Sequence, residues 1–196
     1  MIKSILPSLA LFFAVSFGAF AEPSRIEKAT TLKPVVKPVE VVKEEPKLIT
    51  CKGCTETENK TLQFFHLTGV KDKNALGMIM GSIKQESRFL PAVCEGGFIT
   101  SWEGCTRGGF GLIQFTSAHR YYGLGRYAAS TGQHPESLTT QLEYILTEKE
   151  WQQASTIFKK MGLPMASYDR AGYIWLGYGI KGNRLYYAFD YARRIA

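Results

Sequence analysis

Only three histidines and four cysteines occur in this chain, and beyond its first residues it has no long apolar run. His66, His119 and His134 fall at no metal-ligand spacing, so neither a metal nor a cofactor is assigned. A four-thiolate zinc site would need two knuckles of similar spacing. Cys51 and Cys54 supply one, but Cys94 and Cys105 lie too far apart for the other. No internal repeat is present. After residue 21 no segment approaches the roughly 20 apolar residues that a membrane span requires.

What the N-terminus does contain is a secretory leader over residues 1–21. Lys3 gives the positive start, Ile5 to Phe20 the apolar stretch, and Ala19-Phe20-Ala21 the small-x-small cleavage pattern. An uncleaved N-terminal anchor is the alternative, and either way the membrane is touched through this segment alone. Loss of Lys3 with the leader takes the formal charge from +7 to +6. Such a surplus draws a protein to anionic surfaces. An exported chain rarely meets nucleic acid, so cell-wall polymers and envelope lipids are the expected partners, with simple solubility the alternative reading of the charge. The expected location is the periplasm or envelope, and the chain is expected to be a monomer.

In an exported chain four cysteines read as disulfides, and three pairings are open. Local closure favours Cys51–Cys54 and Cys94–Cys105. Cys51-Lys52-Gly53-Cys54 has the spacing of a redox pair, but no strand–helix pattern surrounds it, and it reads as structural.

Residues 22–54 form a tether. Pro23, Pro34, Pro38 and Pro46 interrupt a Val-, Lys- and Glu-rich run, which gives a semi-extended spacer of about 3.1 Å per residue. Residues 55–196 read as one mainly α domain. Thr55 to Glu58 fits a capping box, and Gly69 stops the first helix. A second helix starts near Asp72, with Leu76, Ile79, Met80 and Ile83 at helical spacing. Residues 91–113 are Gly-rich and aperiodic, a loop with a small hairpin. Thr116 or Ser117 caps a third helix running to about Ser130, and Ser137 a fourth. Two more run from Tyr168 past Trp175 and from Leu185 to Ile195.

The second helix holds an anomaly. Its apolar stripe continues from Ile79 and Ile83 to Glu86, which directs a carboxyl inward; the alternative is a Glu at a fraying helix end that reaches solvent or pairs with Arg88. Apolar surroundings disfavour the charged form of a carboxyl, so its pKa is expected to rise. A carboxylic acid that keeps its proton near neutrality is what protonating a glycosidic oxygen requires.

About 25 residues on comes Gly108-Gly109-Phe110-Gly111-Leu112-Ile113-Gln114-Phe115. Glycines such as Gly111 let a backbone turn sharply and a ligand approach it. Gln114 presents a donor and an acceptor suited to an acetamido group. Phe110 and Phe115 offer apolar faces to sugar rings.

The stretches Met80 to Phe89 and Gly109 to Phe115 together resemble the lysozyme-like superfamily, closest to the phage tail lysozyme family. Goose-type lysozymes and lytic transglycosylases are similar too. The resemblance spans roughly residues 60–196. It implies an α-rich lysozyme-like fold, with a Gly-rich loop and hairpin lining a sugar-binding cleft. It also implies cleavage of peptidoglycan between N-acetylmuramic acid and N-acetylglucosamine; the leader and tether suit an envelope enzyme or a phage lysin exported by the host route. Carried over, Glu86 matches the catalytic acid, Ser87 the hydroxyl beside it and Gln114 the substrate-contacting glutamine. Tyr178, in Leu176-Gly177-Tyr178-Gly179, stands for the tyrosine that transglycosylases place near the acid, although the surrounding motif departs from theirs.

Hydrolysis normally employs a second carboxylate. Glu95, Glu103 and Asp169 are candidates, and Glu103 is preferred because Trp102 beside it could line the site. Without one, a substrate hydroxyl closes on the anomeric carbon and leaves an anhydro sugar. The competing reading is a non-catalytic wall-binding or assembly protein that keeps the fold.

Overall fold

The computed structural model describes residues 48–196. The leader and the tether up to residue 47 lie outside the described residues. Seven helices and one two-stranded hairpin make up the described fold, and among these residues no helix is long and apolar enough to cross a membrane.

Helix α1 (Glu56–Leu67) begins with the expected capping box. Thr55 Oγ1 accepts from the Glu58 N–H at 3.3 Å, and the Glu58 carboxylate accepts from the Thr55 N–H at 2.7 Å. Asp72 caps α2 (Lys73–Ser87) by accepting from the Asn74 and Ala75 N–H groups. A stripe of apolar residues implies one buried face, yet every residue from Ala75 to Ile83 is buried. Helix α2 is central, and three of the other helices pack directly on it.

What makes this possible on one flank is a pair of glycines. Helix α7 (Arg184–Arg194) lies so close that a Cβ on Gly77 would stand 2.5 Å from the Ala188 carbonyl oxygen. A Cβ on Gly81 would meet the Ala188 nitrogen at 2.6 Å and the Arg184 carbonyl oxygen at 2.7 Å. On another flank an aromatic cluster fills the core: Phe65, Trp151, Phe158, Tyr168 and Trp175, with the Phe65–Trp151 and Trp151–Trp175 ring centroids 4.9 Å and 5.0 Å apart.

Ser117 caps α3 (Ala118–Thr131), and Gly132 ends it in a left-handed turn. Helix α4 (Leu138–Thr147) follows Ser137, whose side chain makes no capping bond, unlike the expectation. Helix α5 (Lys149–Phe158) was not anticipated, because Glu148 breaks the run with extended backbone and α5 starts without a side-chain cap. Its signal is the buried set Trp151, Ala154, Ser155 and Phe158, spaced as one helix face. Helix α6 spans Met165–Leu176 and stops at Gly177.

Strands β1 (Val93–Cys94) and β2 (Phe98–Ile99) pair antiparallel, and Phe110 bridges to Cys94. Both favoured disulfides are present, Cys51–Cys54 and Cys94–Cys105. Residues 48–54, assigned above to the tether, pack on the domain. Cys51 is buried and pairs with Ile195, and the Ala196 N–H donates to the Thr50 carbonyl at 3.0 Å.

Candidate active site

Glu86 occupies the last turn of α2, and just beyond it the backbone turns abruptly. Arg88 (φ 53°) and Phe89 (φ 64°) are left-handed, as is Gln114 (φ 50°) in the Gly-rich segment. Among the described residues these are the only non-glycine residues with positive φ. Such conformations cost of order 1–3 kcal/mol each and cluster where function constrains the chain. Here two directly follow the Glu86–Ser87 helix end, and the third faces the same groove.

Ser87 fastens the two motifs together. Its hydroxyl donates to the Leu112 carbonyl at 2.8 Å and accepts from the Phe89 N–H at 3.1 Å, and the residue is buried. It therefore sets the backbone between the two motifs while still lining the smaller hollow beside Glu86. Gly111 likewise serves packing: with φ 75° its Cα is backed by the Gln141 amide, so the open side expected for a ligand is filled. Phe110 and Phe115 are fully buried and present no face to a sugar. The Phe115 N–H donates to the Phe110 carbonyl at 2.9 Å and closes the turn between them. The Phe115 ring packs against Tyr144 at 5.4 Å, under the Arg120 guanidinium.

Gln114 remains at the groove, partly exposed. Its amide nitrogen donates inward to the Gly111 and Val93 carbonyls at 3.1 Å and 3.3 Å, so of the expected donor and acceptor only the side-chain carbonyl is unengaged by described residues. Gln85, Glu86 and Gln114 line two adjoining hollows. One, of about 310 Å³, lies against Leu90, Val93 and the Gly96–Gly97 turn; the other, of about 550 Å³, lies against Glu95, Thr116, Leu176, Tyr178 and Arg184.

The surroundings of Glu86 are not the apolar ones its stripe implied. Its carboxylate, 16% exposed, accepts a hydrogen bond from Arg184 Nη2, and that guanidinium is buried. Arg184 Nη1 donates to the Ile180 and Lys181 carbonyls at 2.6 Å and 2.7 Å, while its Nε has no partner. The guanidinium also lies 4.0 Å from the centroid of the Tyr178 ring. Tyr178 thus lines the groove near Glu86, but its hydroxyl donates to Asp169 Oδ1 at 3.0 Å. Burial and that carboxylate push the phenol well above its ordinary value.

Of the other acids, Asp169 is engaged with Tyr178 and Lys181. Glu103 lines a separate cavity with Trp102, because the loop that carries it turns toward α3, where Trp102 stacks on Tyr121. Glu95 instead shares the hollow beside Glu86, and its carboxylate accepts from the Gly109 N–H at 3.0 Å. Among the described residues no group of three or more His, Cys, Asp or Glu side chains could hold a metal ion.

Two organising residues escape the sequence patterns. Gln141 is fully buried on α4, accepts from the Leu112 N–H at 2.7 Å, and donates to the Pro91 and Pro135 carbonyls. A polar residue on the apolar face of α4 is its signal. Arg184 opens α7 with a cation, against the helix dipole, and the half-buried Glu86 carboxylate opposite it explains why.

Comparisons with curated proteins and with solved structures return no match. The model of one family, described as phage tail lysozyme, matches residues 56–181, which include Glu86, Gln114 and Tyr178 and stop short of Arg184. With well over half of its length covered, the chain belongs to the phage tail lysozyme family.

Proposed function

We propose that the chain cleaves peptidoglycan strands between N-acetylmuramic acid and N-acetylglucosamine, with Glu86 as the general acid. The observation that carries this reading is the position of a half-buried carboxyl on the wall common to two adjoining hollows. A glycan spanning both hollows would pass Glu86. Membership of the phage tail lysozyme family supports the same substrate class. Glu86, paired with Arg184 at rest, takes up a proton from solvent before the bond breaks and gives it to the leaving oxygen, after which the guanidinium again balances the carboxylate. Gln114 accepts from an acetamido N–H through its unengaged carbonyl, and the Tyr178 ring with Arg184 walls the larger hollow. Glu95 is the carboxylate assigned to direct water at the anomeric carbon, in place of Glu103.

The leader and the two disulfides, which persist in oxidising compartments, support action in the periplasm or envelope. The test is Glu86→Gln. Circular dichroism is expected to show an intact fold and the release of soluble muropeptides to stop. Undiminished release would reject the assignment, and wall binding by the native protein without any clearing would favour a binding role. Mass spectrometry of the products decides the fate of the anomeric carbon: reducing ends accord with Glu95 and water, whereas anhydro ends remove Glu95 from the mechanism.

A further inference from the structure

The cavity that holds Glu103, of about 540 Å³, lies outside the reading above and falls within the roughly 300–1,000 Å³ of small-molecule sites. Its aromatic wall is fixed in place. The Trp102 ring stacks on Tyr121 with centroids 5.0 Å apart, and its Nε1–H donates to the Tyr121 carbonyl at 3.3 Å. The Tyr121 hydroxyl in turn donates to the Trp102 and Cys105 carbonyls, and Glu136 accepts from the Trp102 N–H. Gly125 of α3 makes room for the indole, which a Cβ there would strike.

Tyr122 stands at 85° to both of those rings and stays 55% exposed. The result is a corner of two aromatic planes at right angles, rimmed by the exposed Thr106, Arg107 and Thr116. A large exposed ring inside a hollow marks a binding surface more often than a scattered surface ring does. Apolar planes surrounded by hydroxyls and a guanidinium match a pyranose, which has apolar C–H faces and a polar perimeter. Thr116 also lines the larger hollow beside Glu86, so a polymer lying in that hollow has a path into the corner.

We infer that this corner binds an N-acetylhexosamine of the same strand, remote from the bond that is cut, and so makes the protein prefer long strands. The preference rests on the proposed glycan cleavage; the binding itself does not. Its Trp102 and Tyr121 rings are held by hydrogen bonds before any ligand arrives, which limits the ordering cost of binding.

Two measurements test it. With peptide-free glycan strands and a tetrasaccharide as paired substrates, Tyr122→Ala is expected to lower the ratio of kcat/KM on long over short about five- to tenfold, the worth of one aromatic contact. An unchanged ratio would overturn the inference. Of the three tryptophans, Trp151 and Trp175 are buried and Trp102 lines the cavity. Titration of the Glu86→Gln protein with N-acetylglucosamine oligomers is therefore expected to change tryptophan emission, and Trp102→Phe to abolish that change. No change with the oligomers, or one that survives Trp102→Phe, would also overturn it. Should Glu86→Gln prove active, the catalytic assignment fails while the emission titration still reports on the corner.

Discussion

Arg184, the first residue of α7, donates to Glu86 in the last turn of α2, across 98 positions of sequence. Two buried or half-buried charges that face one another cannot be altered independently. Glu86→Gln strands a buried guanidinium, and Arg184→Gln strands the carboxylate. In a double-mutant cycle followed by urea unfolding, we expect each single change to destabilise and the pair to show a coupling of about 1–3 kcal/mol. Additive effects would mean that the contact contributes nothing. Arg184→Gln should also free the Ile180 and Lys181 carbonyls, read as faster amide exchange over residues 177–183.

The position of Arg184 depends on Gly81. Gly81→Ala puts a methyl group against the α7 backbone, which has no flexible end to give way. We expect a loss of about 3 kcal/mol, at the severe end for overpacking, together with reduced cleavage as α7 and Arg184 move off. Denaturation midpoint and muropeptide release, measured on the same sample, check this; native values for both would refute it.

Left-handed backbone at Arg88 disfavours a side chain and suits glycine. Arg88→Gly is expected to raise stability by about 0.5–1 kcal/mol, despite the extra freedom it gives the unfolded chain. Calorimetry showing a lower Tm would contradict it.

Glu58 predicts the acid limb of stability. Burial alone would raise its pKa, but hydrogen bonds from the Tyr191 hydroxyl, the Thr55 N–H and Lys84 outweigh burial and leave it below its ordinary value of 4.5. A carboxyl depressed in the folded state contributes stability that is fully present above its unfolded value and is lost as the pH falls through the folded one. The native protein should lose stability below about pH 4.5. Glu58→Gln should be less stable at neutrality and show a flatter fall in acid, measured by unfolding at stepped pH.

The parts of the fold written in local chemistry were readable from the chain. Thr55 and Glu58 specify the start of α1, Asp72 that of α2, and Ser117 that of α3, because a cap needs only a few neighbouring residues. The inward carboxyl of Glu86 was readable too, from helical spacing taken together with the Gly-rich segment that ends at Gln114. Its partner was not, for nothing local links residue 184 to residue 86. The same holds for Ser87, Gly111 and Phe115. Their residue types suit a sugar cleft, but the Ser87 hydroxyl is spent on the Leu112 carbonyl, and the Gln141 amide and the Tyr144 ring stand against Gly111 and Phe115. Glu103 was preferred over Glu95 for its tryptophan neighbour, and only the direction of the loop separates the two.

The close seat of α7 on Gly77 and Gly81 has a temporal side. A chain leaving the ribosome N-terminus first carries α2 and Glu86 well before Arg184 exists. Until those last helical residues are made, the acid has no counter-ion and α2 has one flank bare. The groove around Glu86 therefore gains its Arg184 wall only when α7 arrives.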